Sequence, residues 1–214
     1  MTDDISLVFW IGAGLFALST IFFVVLESGR RLGTAYFRHE VFISFITTIS
    51  YVVMAIDLAT VTAINGEPIY WTRWLFYIGS CSILAAEAVR IEGGIGSRVV
   101  EVITFTSLVM FCGFLASFMT TEGRWWFFGL SSAAYIGLPY VLIRGASGRR
   151  TVGVLWFILI FWSLFPVVWV LDPTGFALIT TYVGAILYLA LDIVTKIAFG
   201  LYVVLRIKEK RTEA

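Results

Sequence analysis

Seven apolar runs, separated by short stretches of charge and glycine, leave this chain little choice but to cross a membrane repeatedly. They cover residues 5–26, 41–63, 70–89, 100–119, 125–143, 152–171 and 177–205. A hydrocarbon core of about 30 Å takes about 20 apolar residues per helix, so seven spans use roughly 140 residues. What is left of the 214 residues suffices for short loops, so 1–214 is expected to form a single seven-helix transmembrane domain. Only 14% of the chain is charged and 60% is hydrophobic, with a mean hydropathy of +0.95; a soluble domain carries about 25% charged residues. Lipid must serve as the solvent. The first run follows Asp3 and Asp4 and is too long for the core of a signal peptide, so it reads as the first span.

The connections set the direction. Those after the first, third and fifth runs hold Arg30, Arg31, Arg38, Arg90, Arg98, Arg144, Arg149 and Arg150, and the tail adds Arg206, Lys208, Lys210 and Arg211. The other side has only Arg124. Lys and Arg accumulate on the cytoplasmic side, which predicts an extracellular N-terminus and a cytoplasmic C-terminus. A net charge of +1 offers no basic face for nucleic acid. Cys81 and Cys112 sit inside apolar runs without ligand spacing, and His39, beside Arg38 in a loop, is the sole histidine. No metal site is expected.

Five ionisable residues remain at membrane depth: Asp57, Arg73, Glu87, Asp192 and Lys196. Such groups are costly and by default functional. Lys196 lies near the middle of the last run, and Asp192 precedes it by four residues, on the same helical face. A self-neutralising pair would gain little over an apolar one. The pairing suits instead an amine condensed with an aldehyde, its nitrogen kept protonated by the neighbouring carboxylate. In the sixth run, Trp162, Phe165 and Trp169 recur at helical spacing around Pro166, which kinks a span. Aromatics around a kink form a slot for a long conjugated ligand; Tyr77, Trp125 and Trp126 are candidates for further walls.

These residues resemble those of the microbial rhodopsins. Asp192-Ile-Val-Thr-Lys196, Trp162-x-x-Phe165-Pro166-x-x-Trp169 and Tyr70-Trp71-Thr72-Arg73 match the family's seventh, sixth and third helices. The resemblance implies all-trans retinal bound as a Schiff base to Lys196, a multi-pass protein of the cell membrane that is not an enzyme, and assembly as a homotrimer in the bilayer. By the same resemblance, function is read from Phe76, Ser80 and Glu87, counted from Arg73. Glu87 lies roughly 16 Å beyond Phe76 along the helix at 1.5 Å per residue. Outward proton pumps carry an aspartate at the first position; phenylalanine accepts no proton. Asp192 is then the counterion. Phe-Ser-Glu with Cys81 beside the serine is similar to the schizorhodopsin subgroup, which implies light-driven inward proton transport. In that scheme Glu87 draws the proton inward, Ser80 and Cys81 shape the switch, and reprotonation follows a water route near Arg73, Asp57 and Asp192. A bland alternative leaves Glu87 as a helix-end partner of Arg90. The competing classes are a photosensory or light-harvesting rhodopsin with weak or no transport, and a retinal-free seven-helix transporter.

Overall fold

The computed structural model describes residues 2–28, 37–91, 96–144 and 149–202. Of the residues used above to fix direction, Arg30, Arg31, Arg206, Lys208, Lys210 and Arg211 lie outside them. Backbone groups in lipid must be satisfied within their own segment, and the apolar runs accordingly form helices: α1 Thr2–Ser28, α2 Arg38–Ala55, α3 Thr72–Ile91, α4 Ser97–Phe118, α5 Gly123–Ile143, α6 Arg149–Leu171 and α7 Thr181–Asp192. A π-helical turn, Ile193–Ala198, continues α7, and the helix runs on to Tyr202. Each helix packs on the next, and α7 returns to α1, closing a ring.

α1 shows how the faces divide. Leu7, Ile11, Leu18, Phe22 and Val25 are exposed, as lipid-facing residues should be, while Ile5, Phe9, Phe16 and Phe23 turn inward. Gly12 lets α1 approach α2, since a Cβ there would run into the Tyr51 ring. By length and composition alone, three of the described helices would cross a membrane: Asp4–Ser28, Ser97–Phe118 and Thr181–Tyr202. α3 falls short because Arg73, Glu87 and Arg90 lower its hydropathy; Arg73 and Glu87 face the interior of the ring, away from lipid, and Arg90 is exposed.

Two runs are shorter as helices than their apolarity suggests. The run 41–63 stops being helical at Ala55. Asp57 then takes a left-handed conformation (φ 53°), and β1 (Val61–Thr62) pairs antiparallel with β2 (Pro68–Ile69) across a turn containing Gly66 (φ 85°). Apolar character does not distinguish strand from helix in a short β-branched segment, and Asn65-Gly66 is the turn signal that decides. The last run becomes helical only at Thr181, where the Thr180 hydroxyl accepts the Val183 N–H at 3.3 Å.

Candidate functional site

The π turn carries Lys196. One extra residue in a helical turn is a costly geometry that is often found at functional sites, and here it holds a buried amine. Lys196 is 3% exposed, and its Nζ donates to Asp192 Oδ1 at 2.6 Å. Asp192 is fully buried; its Oδ2 accepts from Tyr51 Oη at 2.7 Å and from Tyr77 Oη, with Arg73 Nη1 at 3.6 Å. The Tyr77 ring also lies under the amine, with its centroid 3.4 Å from Nζ. One carboxylate thus stands between two cations and takes hydrogen bonds from two phenols. This is the degree of satisfaction that a buried ion pair needs to persist. Asp192 and Lys196 meet at the i, i+4 spacing read from the sequence, with Arg73 beside them; Tyr77, expected as a wall of the ligand slot, also reaches the carboxylate, and Tyr51 joins from α2, which no sequence pattern indicates.

The amine opens onto an apolar cavity of about 190 Å³ between α3, α4, α5, α6 and α7. Trp162, Phe165, Pro166 and Trp169 line it from α6, and Tyr77 and Cys81 from α3, as expected. Pro166 lacks the N–H that would bond the Trp162 carbonyl. Trp74 and Leu84 join Tyr77 and Cys81 at helical spacing on the same face of α3, a stripe whose spacing is visible in the sequence. Met110 and Gly113 form the α4 wall; a Cβ on Gly113 would sit 3.4 Å from the Trp74 ring, so glycine keeps this wall back. An apolar, aromatic-walled space with an amine in its lining fits a retinal bound covalently through nitrogen, the group the sequence motifs imply.

Trp126 is a correction. It is 80% exposed, whereas Trp125 turns inward and packs on Trp169 with ring centroids 5.5 Å apart. Neighbouring helical residues point about 100° apart, so one of the two tryptophans had to face outward. Phe76 is half-buried and does not line the cavity; Ser80 is buried, its hydroxyl donating to the Phe76 carbonyl at 3.5 Å. Asp57 is also displaced from its expected place near Arg73, because the chain leaves α2 before it. It is exposed and faces Tyr70.

The far half of α3 holds a second polar cluster. Glu87 is buried, with Oε1 3.7 Å from His39 Nδ1 and Oε2 without a hydrogen-bond partner. His39 is not in a loop but in the first turn of α2, and Arg90 Nη1 lies 3.0 Å from its Nε2. Arginine only donates, so Nε2 accepts and the ring proton of neutral His39 is on Nδ1, toward Glu87. His39 thus stands between Glu87 and Arg90, 3.7 Å from the carboxylate and 3.0 Å from the guanidinium. Glu40, one residue on, is 2% exposed, faces the Glu87 carboxyl, and has neither oxygen in hydrogen-bonding geometry with a donor. It sits at the edge of an apolar run, where sequence alone reads it as a loop charge.

Among known proteins, residues 3–209 match the family described as bacteriorhodopsin-like protein. The sensory rhodopsin-2 of Natronomonas pharaonis is 30% identical over 210 residues, covering 92% of this chain and 86% of that protein. The crystal structure of schizorhodopsin 4 superposes with a TM-score of 0.86 at 36% identity, covering 92% of this chain and 96% of the other. The light-driven proton pump rhodopsin of Coccomyxa subellipsoidea has the same fold at 23% identity, with a TM-score of 0.86 and coverage of 95% and 96%.

Proposed function

The chain belongs to the bacteriorhodopsin-like family, the microbial rhodopsins, and within that family we propose that it is a light-driven pump carrying protons inward, from outside to cytoplasm. Proteins of this family are multi-pass residents of the cell membrane that bind retinal through a Schiff base to a lysine, and they work as pumps or sensors and not as enzymes. Lys196 is our assignment for that lysine. The N-terminus and the β1–β2 hairpin are taken as extracellular from the distribution of Lys and Arg. Residues 1–214 act as one domain, and a homotrimer is the assembly this reading expects.

The observation that carries the direction is the placement of acids around Nζ. Asp192 is the one carboxylate within hydrogen-bonding reach of it among the described residues. Bound retinal supplies a light-driven isomerisation that re-aims the proton on the Lys196 nitrogen. In the dark Asp192 Oδ1 holds that proton on the outer side, and Arg73, Tyr51 and Tyr77 keep the carboxylate in place as an anion. Phe76 offers no oxygen one turn beyond Arg73, so the residue that would take the proton outward is missing. Ser80 and Cys81 flank the cytoplasmic path from the nitrogen, and Glu87, with Glu40 against it, draws the proton down that path. The Phe76-Ser80-Glu87 pattern, and the 36% identity with schizorhodopsin 4, support the schizorhodopsin subgroup.

The test is the pH of a weakly buffered suspension of cells making the protein with retinal. Illumination should alkalinise the medium, and a protonophore should abolish the signal. Acidification would overturn the inward assignment. A sensory role is favoured by the likeness to sensory rhodopsin-2; it predicts a slow photocycle and no sustained pH change.

A further inference from the structure

We propose that Asp172 is the carboxyl that takes up protons from the outer medium and passes them toward Lys196 through a small polar cavity walled by Tyr188 and Arg73. The inference rests on the inward reading, which requires an outer donor and which Asp57, exposed and turned to Tyr70, is not placed to provide.

Asp172 follows α6 directly and is 8% exposed. Its Oδ1 accepts from the Thr174 N–H at 2.8 Å and from the Thr174 hydroxyl. The other oxygen points toward α7, where Gly184 makes room: a Cβ at Gly184 would stand 3.6 Å from Asp172 Oδ2 and 3.3 Å from its Cβ. A cavity of about 30 Å³ lies here, lined by Asp172, Tyr188, Arg73, Tyr70 and Thr181 among others. It is polar and large enough for one or two waters, at roughly 10–15 Å³ each. Tyr188 is buried, and its hydroxyl faces the Asp172 carboxyl without a hydrogen bond in good geometry. An unmet buried hydroxyl is costly, and a bridging water relieves it.

The inner wall of this cavity adjoins the Asp192–Lys196 pair. The Arg73 guanidinium lies 4.5 Å from the centroid of the Tyr188 ring, and its Nη1 is 3.6 Å from Asp192 Oδ2. Arginine releases no proton, so the route runs along the Tyr188 hydroxyl and cavity water beside it. The charged and titratable groups facing Asp172 are Arg73 from α3, Tyr188 from α7 and Tyr70 from the segment before α3, with Asp192 acting on Tyr188 from its far side; α1 contributes Phe9 to the lining. Glu67 is engaged elsewhere, accepting the Thr181 N–H. Burial raises the Asp172 carboxyl to about 6, near enough to neutrality for a group that must both take and give a proton. In the transfer, the Asp172 O–H bond breaks as the proton enters the cavity, one proton reaches the Lys196 nitrogen, and the Asp172 carboxylate regains a proton from the medium.

The experiment compares wild-type pigment with Asp172→Asn and Tyr188→Phe in lipid. Asparagine still accepts from Thr174 but carries no titrating proton. In Asp172→Asn the formation of the light-induced state should be unchanged, the return to the dark pigment should slow on the order of 10²-fold, and azide, a small proton donor, should restore it. A protonated-carboxyl infrared band of the dark protein, titrating at about pH 6, should vanish in the same variant. A return at the wild-type rate, or a slowed return that azide leaves untouched, would reduce Asp172 to a turn residue. Should the asparagine variant fail to hold retinal, Tyr188→Phe decides, because it leaves the Thr174 contacts intact: a slowed, azide-sensitive return supports the relay and an unchanged one refutes it. Failure of the inward reading itself shows separately, as a wild-type photocurrent directed outward.

Discussion

At the scale of single residues, charge in an apolar setting is the strongest signal this chain offers, and Lys196 is its clearest instance. Lys196→Ala should insert and fold but form no pigment. A visible band that hydroxylamine bleaches in light, retained in that variant, would assign the linkage to another amine. Asp192→Asn removes the carboxylate that holds Nζ at 2.6 Å; the remaining protonated pigment should absorb farther to the red, and an unchanged spectrum would point to a different counterion. Glu87→Gln keeps size and hydrogen bonding but removes charge and proton acceptance. It should cut light-driven proton movement on the order of 10²-fold, with Glu40→Gln having the smaller effect; near-normal pumping by the Glu87 variant would leave it a helix-end carboxylate beside His39 and Arg90. Asp172 adds a stability signature. Its carboxyl is raised by burial to about 6 from 3.8, so the folded chain holds that proton more tightly than the unfolded chain. The contribution is full below about pH 4 and is lost as pH rises through about 6, on the order of 3 kcal/mol. Thermal melts across that window should flatten in Asp172→Asn, and an unaltered pH profile would contradict the assignment.

At the scale of helices, what the sequence disclosed depended on whether a residue's neighbours were local. Asp192 and Lys196, and the aromatics around Pro166, are set by spacing along one helix, and their meeting was legible from it. Tyr51 and Glu40 reach their sites from α2 only because the ring closes, and no pattern within α2 announces that. Trp126 was misassigned because an adjacent tryptophan satisfied the inward position, and Asp57 because the hairpin Val61–Ile69 ended the helix early. The α1–α2 contact can be tested at Gly12, where a Cβ would strike Tyr51, the residue that donates to Asp192. Gly12→Ala should destabilise by about 1–3 kcal/mol and shift the absorption as well. Gly14→Ala, which meets nothing within 4 Å, should do neither. Equal melting temperatures for the two variants would show that the close approach is not structurally significant.

At the scale of the whole molecule, seven helices closed into a ring give the buried amine two unlike sides. Toward the hairpin lie Asp192, Arg73, Tyr188 and Asp172; toward the opposite end lie Cys81, Glu87, Glu40 and His39. A pump needs such asymmetry, because a nitrogen that switches sides moves protons in the direction set by where acceptor and donor stand. In the inward scheme proposed above, Phe76 leaves the outer side without an acceptor, and the acids at the other end supply the inward pull. The fold and the buried pair are shared with pumps and sensors alike, so direction is the property on which the account stands. The most direct test is a voltage-clamped membrane carrying the protein in known orientation, at zero voltage and equal pH on both sides, where any sustained light-driven current is active transport. The account predicts a proton current from the extracellular to the cytoplasmic face; a sustained current in the opposite direction, or none from a fully pigmented protein, would contradict it.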